Sequence, residues 1–308
     1  MIYPVATPVV FATLCFQQED DNMPAENIVA LHDTLKVTRL EPTLGAEISG
    51  VDLSKPLSPS QRDDIHALLL KHKVIFFRDQ HISSEQQIAF AGQFGELYVH
   101  PTTRQEDRSK PQAHLILASE AKDIYGDARK GRWHTDTSWM LKPTYGAVLR
   151  AVSLPEVGGD TVWADSGQVY RGLSAELKAR IDTLSVTHNF KSSLDKVGYD
   201  YPILAHPLVR THPETGEDAL FINFSMSPQV IGWSVEDSRA LVAQLLKEFS
   251  NPEYHVRFKW TPGTVAFWDN RALLHYPVYN YGDFERVMER VLIADDDIPH
   301  RVRRAPVG

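Results

Sequence analysis

Cysteine is nearly absent from this chain: Cys15 is the only one in 308 residues. A single thiol cannot build an intramolecular disulfide framework or a multi-cysteine metal site, so a reducing cytoplasm is the expected setting. Basic residues are in the minority. Lys and Arg number 32 against 40 Asp and Glu, a formal net charge of −8, and nucleic acid, which selects a basic face, is not expected as a partner. A membrane is not expected either, because no hydrophobic run reaches bilayer-spanning length. There is no low-complexity tract and no internal repeat. The opening stretch Met1–Phe16 is largely apolar but lacks a basic start and carries Pro4 and Pro8. It reads as an extension rather than a signal peptide. Polar Gln17–Asn22 follows, and Met23 is an alternative start, so residues 1–34 are set apart as an N-terminal extension and a candidate for disorder.

Regular patterning begins at Leu35. Leu35–Leu40 and Gly45–Val51 read as short strands. Ser58 with Gln61, and Ser83 with Gln86, are capping-box pairs that open two helices, the first with Pro59 at its first position. The second is expected to run to about Phe94 and to stop at Gly95. Between them Val74–Phe77 is a continuous apolar run suited to a strand buried on both faces. Glu96–Arg132 is irregular apart from a strand at His114–Leu117, the composition of a binding loop or lid. Beyond it, strands are predicted at 145–152, 161–164, 185–190, 207–211, 219–223, 256–260, 264–268 and 290–294. Helical patterns lie near 167–172, 174–184 and 235–249. Many short strands with few helices and no linker predict one mainly β domain over 35–308, a sandwich or jelly roll with flanking helices.

The chemistry concentrates in Trp133-His134-Thr135-Asp136-Thr137-Ser138-Trp139. Read as an extended segment, it points His134 and Asp136 to the same side, since side chains two apart share a strand face. An imidazole and a carboxylate so placed can occupy adjacent positions on a metal. A third ligand would complete the 2-His-1-carboxylate face of non-heme Fe(II) oxygenases. On the residues alone, His-x-Asp is equally a surface ion pair, and the third ligand must come from far along the chain. His275, after the apolar strand 264–268 and a polar turn, is the best candidate.

Together, Trp133-His134-Thr135-Asp136, Gly158-Gly159-Asp160-Thr161 and Trp268-Asp269-Asn270-Arg271-Ala272-Leu273-Leu274-His275-Tyr276 resemble the taurine dioxygenase family, from about Leu35 to Asp295. These are Fe(II)- and 2-oxoglutarate-dependent dioxygenases, with alkylsulfatases and 2,4-dichlorophenoxyacetate dioxygenase among the relatives. The resemblance implies a double-stranded β-helix, a cupin-like jelly roll whose mouth holds iron on His134, Asp136 and His275. It implies 2-oxoglutarate and O2 as cosubstrates, with succinate and CO2 as products. The far carboxylate of 2-oxoglutarate would meet an arginine eleven residues after the distal histidine, Arg286, assisted by the hydroxyl of Thr161. Arginine suits that task because its planar fork donates two charge-assisted hydrogen bonds. Arg290 and His100 match the residues that grip the sulfonate of taurine, so a small anionic organic substrate is implied. A homo-oligomer, dimer or tetramer, is implied in the same way.

Other substrate positions depart from the family pattern. Thr103 and Lys130 stand where the taurine enzyme has a tyrosine and an asparagine, and a lysine would repel an ammonium group. Leu194 and Met226 replace two phenylalanines, giving an aliphatic, adaptable wall. A sulfonate or alkyl sulfate other than taurine is therefore expected, with an aryloxyalkanoate or a natural-product carboxylic acid as the alternative. Retention of Asp136 favours hydroxylation over halogenation. A zinc hydrolase, or a jelly-roll module that only binds metal, remains the rival outside this chemistry.

Overall fold

The computed structural model describes residues 35–103, 114–117 and 133–302, with the backbone path alone for 114–117. The expectations for the opening extension and for Lys130 lie outside these residues. No helix among the described residues is long and apolar enough to cross a membrane.

The main sheet is mixed. Its strands run Lys36–Arg39, Ala46–Ser49, Val74–Phe77, Val265–Asp269, Gly146–Ser153, Val287–Ile293 and Leu97–Tyr98 in spatial order, and His114–Leu117 also pairs with Val287–Ile293. Ala46–Ser49 and Val74–Phe77 pair in parallel, whereas the other neighbours are antiparallel. A second sheet carries His255–Phe258, Thr161–Asp165 and Leu273–Pro277, with Thr161–Asp165 in the middle. Two further antiparallel pairs lie among the described residues: Ser185–His188 with Leu204–Pro207, and Val209–Thr211 with Asp218–Leu220.

Side-chain alternation assembles the layers. Along the central strands Ile75, Phe77, Val148, Val265, Phe267 and Ile293 face one core, which the helices Pro59–His72 and Ser84–Ala91 cover with Ile65, Leu69 and Phe90. The alternate residues Val74, Phe76, Ala147, Leu149, Ala266 and Trp268 face the other way and meet Trp163, Val256, Phe258 and Leu273 of the second sheet. Phe76 stacks on Phe258 at 3.8 Å and meets Trp163 edge-on at 5.3 Å. A third core lies behind the second sheet, where Ala164 and Leu274 pack with Leu241 and Leu245 of the helix Val235–Glu248. Helix, sheet, sheet and helix follow one another as two packed sheets with flanking helices, as the strand-rich pattern predicts.

Both predicted capping boxes form, at Ser58 with Gln61 and at Ser83 with Gln86. The second helix ends at Ala91 rather than near Phe94, because Gln93 and Phe94 already donate to carbonyls three residues back and tighten the chain before Gly95. Sequence patterning overlooks the strands at Leu204–Pro207 and Leu273–Pro277 and the two-residue strand Leu97–Tyr98. The extended reading of Trp133–Trp139 needs correction. Only His134 makes a β-bridge; the chain turns from Asp136, with Thr137 in the left-handed region at φ 50°.

One buried ion pair ties the layers together. Lys73, at φ 64°, turns the chain from the first helix into Val74–Phe77, and its ammonium lies 2.7 Å from Asp165 and 3.1 Å from Glu217. The other carboxylate oxygen of Asp165 caps the helix Ser166–Gly172 through the amides of Gly167 and Gln168. Asp165→Ala removes both the cap and the buried partner of Lys73 and should cost about 3 kcal/mol in urea unfolding.

His188 is a second buried polar group, with a different consequence. It is fully buried, stacks on Phe221 at 5.0 Å, and has no hydrogen-bond partner among the described residues at either ring nitrogen. Burial, reinforced by His206 nearby, pushes its pKa down from 6.5 to about 3. In the unfolded chain the imidazole takes up a proton near pH 6.5, while in the folded chain it does so only near pH 3. The stability this group leaves intact above pH 6.5 is therefore lost as pH falls through that window. His188→Met should raise the urea midpoint at pH 5 more than at pH 8 and flatten the acid-side slope.

Candidate active site

His134 and His275 face each other across an isolated antiparallel bridge. The His134 amide donates to the His275 carbonyl at 3.0 Å, and the reverse bond is 2.7 Å. Their rings are 4.1 Å apart, centroid to centroid. His275 lies in Leu273–Pro277 directly opposite Trp163, so it shares the inward face of Leu273. Asp136 joins them from the turn that follows His134. One ligand atom from each of His134, Asp136 and His275 lies within 4.8 Å of the others.

The donor set fits a divalent transition metal. Asp136 Oδ2 and His275 Nδ1 are buried and lack hydrogen-bond partners, which is costly for a carboxylate and an imidazole unless a further ligand satisfies them. Burial, then the neighbouring His134 and Arg290, push His275 well below the usual histidine range, so it is neutral and able to donate a lone pair at neutral pH. Two histidines and one carboxylate leave coordination positions for other ligands.

The turn bearing Asp136 is held on three sides. Asn270 Oδ1 accepts from the Asp136 amide at 3.3 Å and from the Trp268 indole at 2.9 Å, and the Asn270 carbonyl accepts from the Thr135 hydroxyl at 2.9 Å. Asn223 donates to the Thr135 carbonyl and the Ser138 hydroxyl. His206 shares a 2.9 Å bond with the Met140 carbonyl. Asn270 itself sits between Asp269 and Arg271, which form a buried ion pair completed by His212 and Glu214. Burial alone would raise the Asp269 carboxyl, but Arg271 and His212 outweigh it and hold it well below the carboxylate range. The segment leading to His275 and the turn carrying Asp136 are thus locked through one asparagine. Sequence reading passed over Asn270 and Asn223. Asn270 lies inside a quoted motif, yet nothing in the string distinguishes a buried asparagine from an exposed one.

The two candidate cosubstrate residues also meet. Arg286 Nε donates to the Gly159 carbonyl at 2.9 Å, and its NH2 lies 3.4 Å from the Thr161 hydroxyl. That hydroxyl also accepts from the Trp260 indole at 3.0 Å. Gly159, at φ 73°, is required here: a Cβ would lie 3.1 Å from Arg286 Cδ and press the guanidinium away. Arg286 is buried, and burial lowers its pKa from the usual arginine value against the opposing influence of Tyr281, Tyr279 and Asp160. Thr161 lies opposite Pro277, two residues beyond His275, so this arginine pocket borders the metal group.

The remaining candidates divide. Arg290 pairs with Asp136 Oδ1, and not with Glu289, which engages Arg150 and Ser84 instead. His100 is buried and packs edge-on against Trp139 at 5.9 Å and Phe190 at 6.0 Å. Its Nδ1 lies 2.7 Å from the Thr102 hydroxyl and accepts from the Thr102 amide at 3.3 Å. Met226 lies beside the Asp136 turn, with its sulfur 3.8 Å from the Ser138 hydroxyl. Thr103 is buried in the turn closed by the His100 carbonyl, and Leu194 is buried in the short helix Lys191–Asp195. From that segment it is Phe190, which also stacks near Trp139, that meets His100. No sequence motif marks Phe190.

Comparison with known proteins agrees with this arrangement. The profile of the taurine catabolism dioxygenase TauD, TfdA family matches residues 36–292. An alkylsulfatase of Acinetobacter baylyi is 34% identical over 282 residues, covering 85% of this chain and 86% of its own. An (S)-phenoxypropionate/alpha-ketoglutarate-dioxygenase of Sphingobium herbicidovorans is 33% identical over 277 residues, covering 84% and 95%. Among solved structures, a taurine dioxygenase from Burkholderia xenovorans is 37% identical and superposes with a TM-score of 0.71 over 85% of this chain and 92% of that one. With the match spanning nearly all of the two-sheet core and every element of the site, the chain belongs to the TauD, TfdA family of dioxygenases.

Proposed function

We propose that residues 35–308 form a single jelly-roll domain that catalyses the Fe(II)- and 2-oxoglutarate-dependent oxidation of a C–H bond in a small organic anion, a sulfate ester or sulfonate. The observation that carries this reading is the pairing of two features: the His134, Asp136 and His275 group, in which Asp136 and His275 are buried with unsatisfied ligand atoms, and buried Arg286 with Thr161 beside it. A zinc hydrolase would have use for the first and none for the second.

His134, Asp136 and His275 would hold the iron, which when bound supplies O2 activation coupled to decarboxylation of 2-oxoglutarate to succinate. The chain supplies position and environment. Asn270 and the His134–His275 bridge keep the ligand side chains converged, so little ordering is left for the moment of binding. Arg286 and Thr161 offer a guanidinium and a hydroxyl to the distal carboxylate, in a pocket where burial strengthens each charge-assisted bond. His100 and Arg290 are the donors for the substrate anion. Met226 near the Asp136 turn makes the wall apolar, which suits an alkyl tail. An aryloxyalkanoate is the second reading, favoured by the Trp139, Phe190 and His100 cluster, on which an aryl ring would stack.

Protein loaded anaerobically with Fe(II) and then exposed to O2 should form succinate from 2-oxoglutarate, stimulated by alkyl sulfates or alkanesulfonates above aryloxyalkanoates and taurine. Asp136→Ala should lose both this turnover and stoichiometric metal binding while retaining its circular dichroism spectrum; metal-independent turnover would overturn the assignment. Arg286→Ala should raise the KM for 2-oxoglutarate by at least about tenfold, in keeping with loss of a charge-assisted pair, and leave the KM for the organic substrate within about threefold.

A further inference from the structure

Arg290 stands between two groups that each need something it can relay. Its guanidinium is buried, and one nitrogen bonds Asp136 Oδ1. The ion pair leaves an unsatisfied atom on both partners: Asp136 Oδ2, an acceptor, and Arg290 Nε, a donor. Neither has a hydrogen-bond partner among the described residues, and a buried polar atom left so is costly. The acceptor calls for a cation and the donor for an anion. A single buried pair is therefore open to opposite charges at its two ends.

We propose that Arg290 couples metal binding to substrate binding, acting as a positioning residue for Asp136 at one end and as the anion donor at the other. The coupling rests on the anionic substrate proposed above, and its sign follows from charge. A cation on Asp136 Oδ2 takes up part of the carboxylate charge that otherwise neutralises Arg290, so the guanidinium attracts an anion at Nε more strongly. An anion at Nε in turn neutralises Arg290 and leaves more of the Asp136 charge to the metal. Linkage makes the two effects equal in size. Arginine can serve both ends because its donors diverge from one rigid plane; a lysine ammonium is a point charge that must choose a partner or sit between them. Direct attraction between metal and anion has the same sign, so the experiment must separate the two.

The test uses Mn(II) and ethanesulfonate in the absence of O2, so that no turnover intervenes. In the full-length protein, saturating ethanesulfonate should tighten Mn(II) binding at least about fivefold by titration calorimetry or electron paramagnetic resonance, and Mn(II) should tighten ethanesulfonate by the same factor. In Arg290→Lys the factor should fall below about twofold, with both ligands still binding. A second variant avoids the metal altogether: in metal-free Asp136→Asn, Arg290 loses its resident carboxylate, and ethanesulfonate should bind at least about fivefold more tightly than to metal-free wild type. Independent binding of the two ligands to wild type would overturn the coupling alone and leave the anion-substrate reading standing. A factor in Arg290→Lys equal to that of wild type would assign the coupling to direct attraction and remove the bridge. Failure of ethanesulfonate to bind even the Mn(II)- and 2-oxoglutarate-loaded protein would remove the anion site, and this proposal with it.

Discussion

Two backbone hydrogen bonds between His134 and His275 hold the rest of the site in place, because they fasten segments that lie far apart in the chain into one antiparallel bridge. The bridge brings the candidate ligand side chains together. It forms where Leu273–Pro277, itself paired to Thr161–Asp165, reaches the edge of the second sheet. Asn270 then repeats the same join one turn earlier, bonding the Thr135 hydroxyl and the Asp136 amide. A weak bond at each point would be of little use alone. Several bonds to one short turn fix it in direction as well as in place.

Charge is distributed around this join with a division of labour. Arg271 is satisfied by Asp269 and Glu214, which makes it part of the scaffold. Arg286 is buried beside hydroxyl and carbonyl groups, with no carboxylate in direct contact among the described residues. A buried cation without a close counter-ion is costly unless an anion is bound beside it. Arg290 lies between these cases, with a counter-ion that is itself a candidate metal ligand. The three arginines differ in environment far more than in sequence context.

The packing of the two sheets explains why the site lies where it does. Phe76, Trp163, Trp268 and Phe258 fill the space between the sheets, and His275 continues that interior face toward the sheet edge, with its ring 5.0 Å from Trp268. Burial that would be neutral for a leucine holds this histidine uncharged. The apolar core thus sets the protonation state of a candidate metal ligand as well as the stability of the fold.

What the sequence determined by itself was local or periodic: the capping boxes at Ser58 and Ser83, the doubly buried run Val74–Phe77, most strands, and a set of motifs that resembled one enzyme family. These depend on neighbours a few residues apart, whose geometry is dictated by the helix or strand period. Tertiary structure decided whatever depends on contacts between distant segments. It turned the chain at Asp136 where an extended run was expected, because Asn270 and Asn223 reward the turn with hydrogen bonds that no local pattern displays. It gave Arg290 to Asp136, 154 residues away, in preference to the adjacent Glu289. It brought Phe190 to His100. A side chain's partner is chosen by the three-dimensional neighbourhood in which its charge or surface is least exposed to water, and sequence distance carries almost no information about that choice.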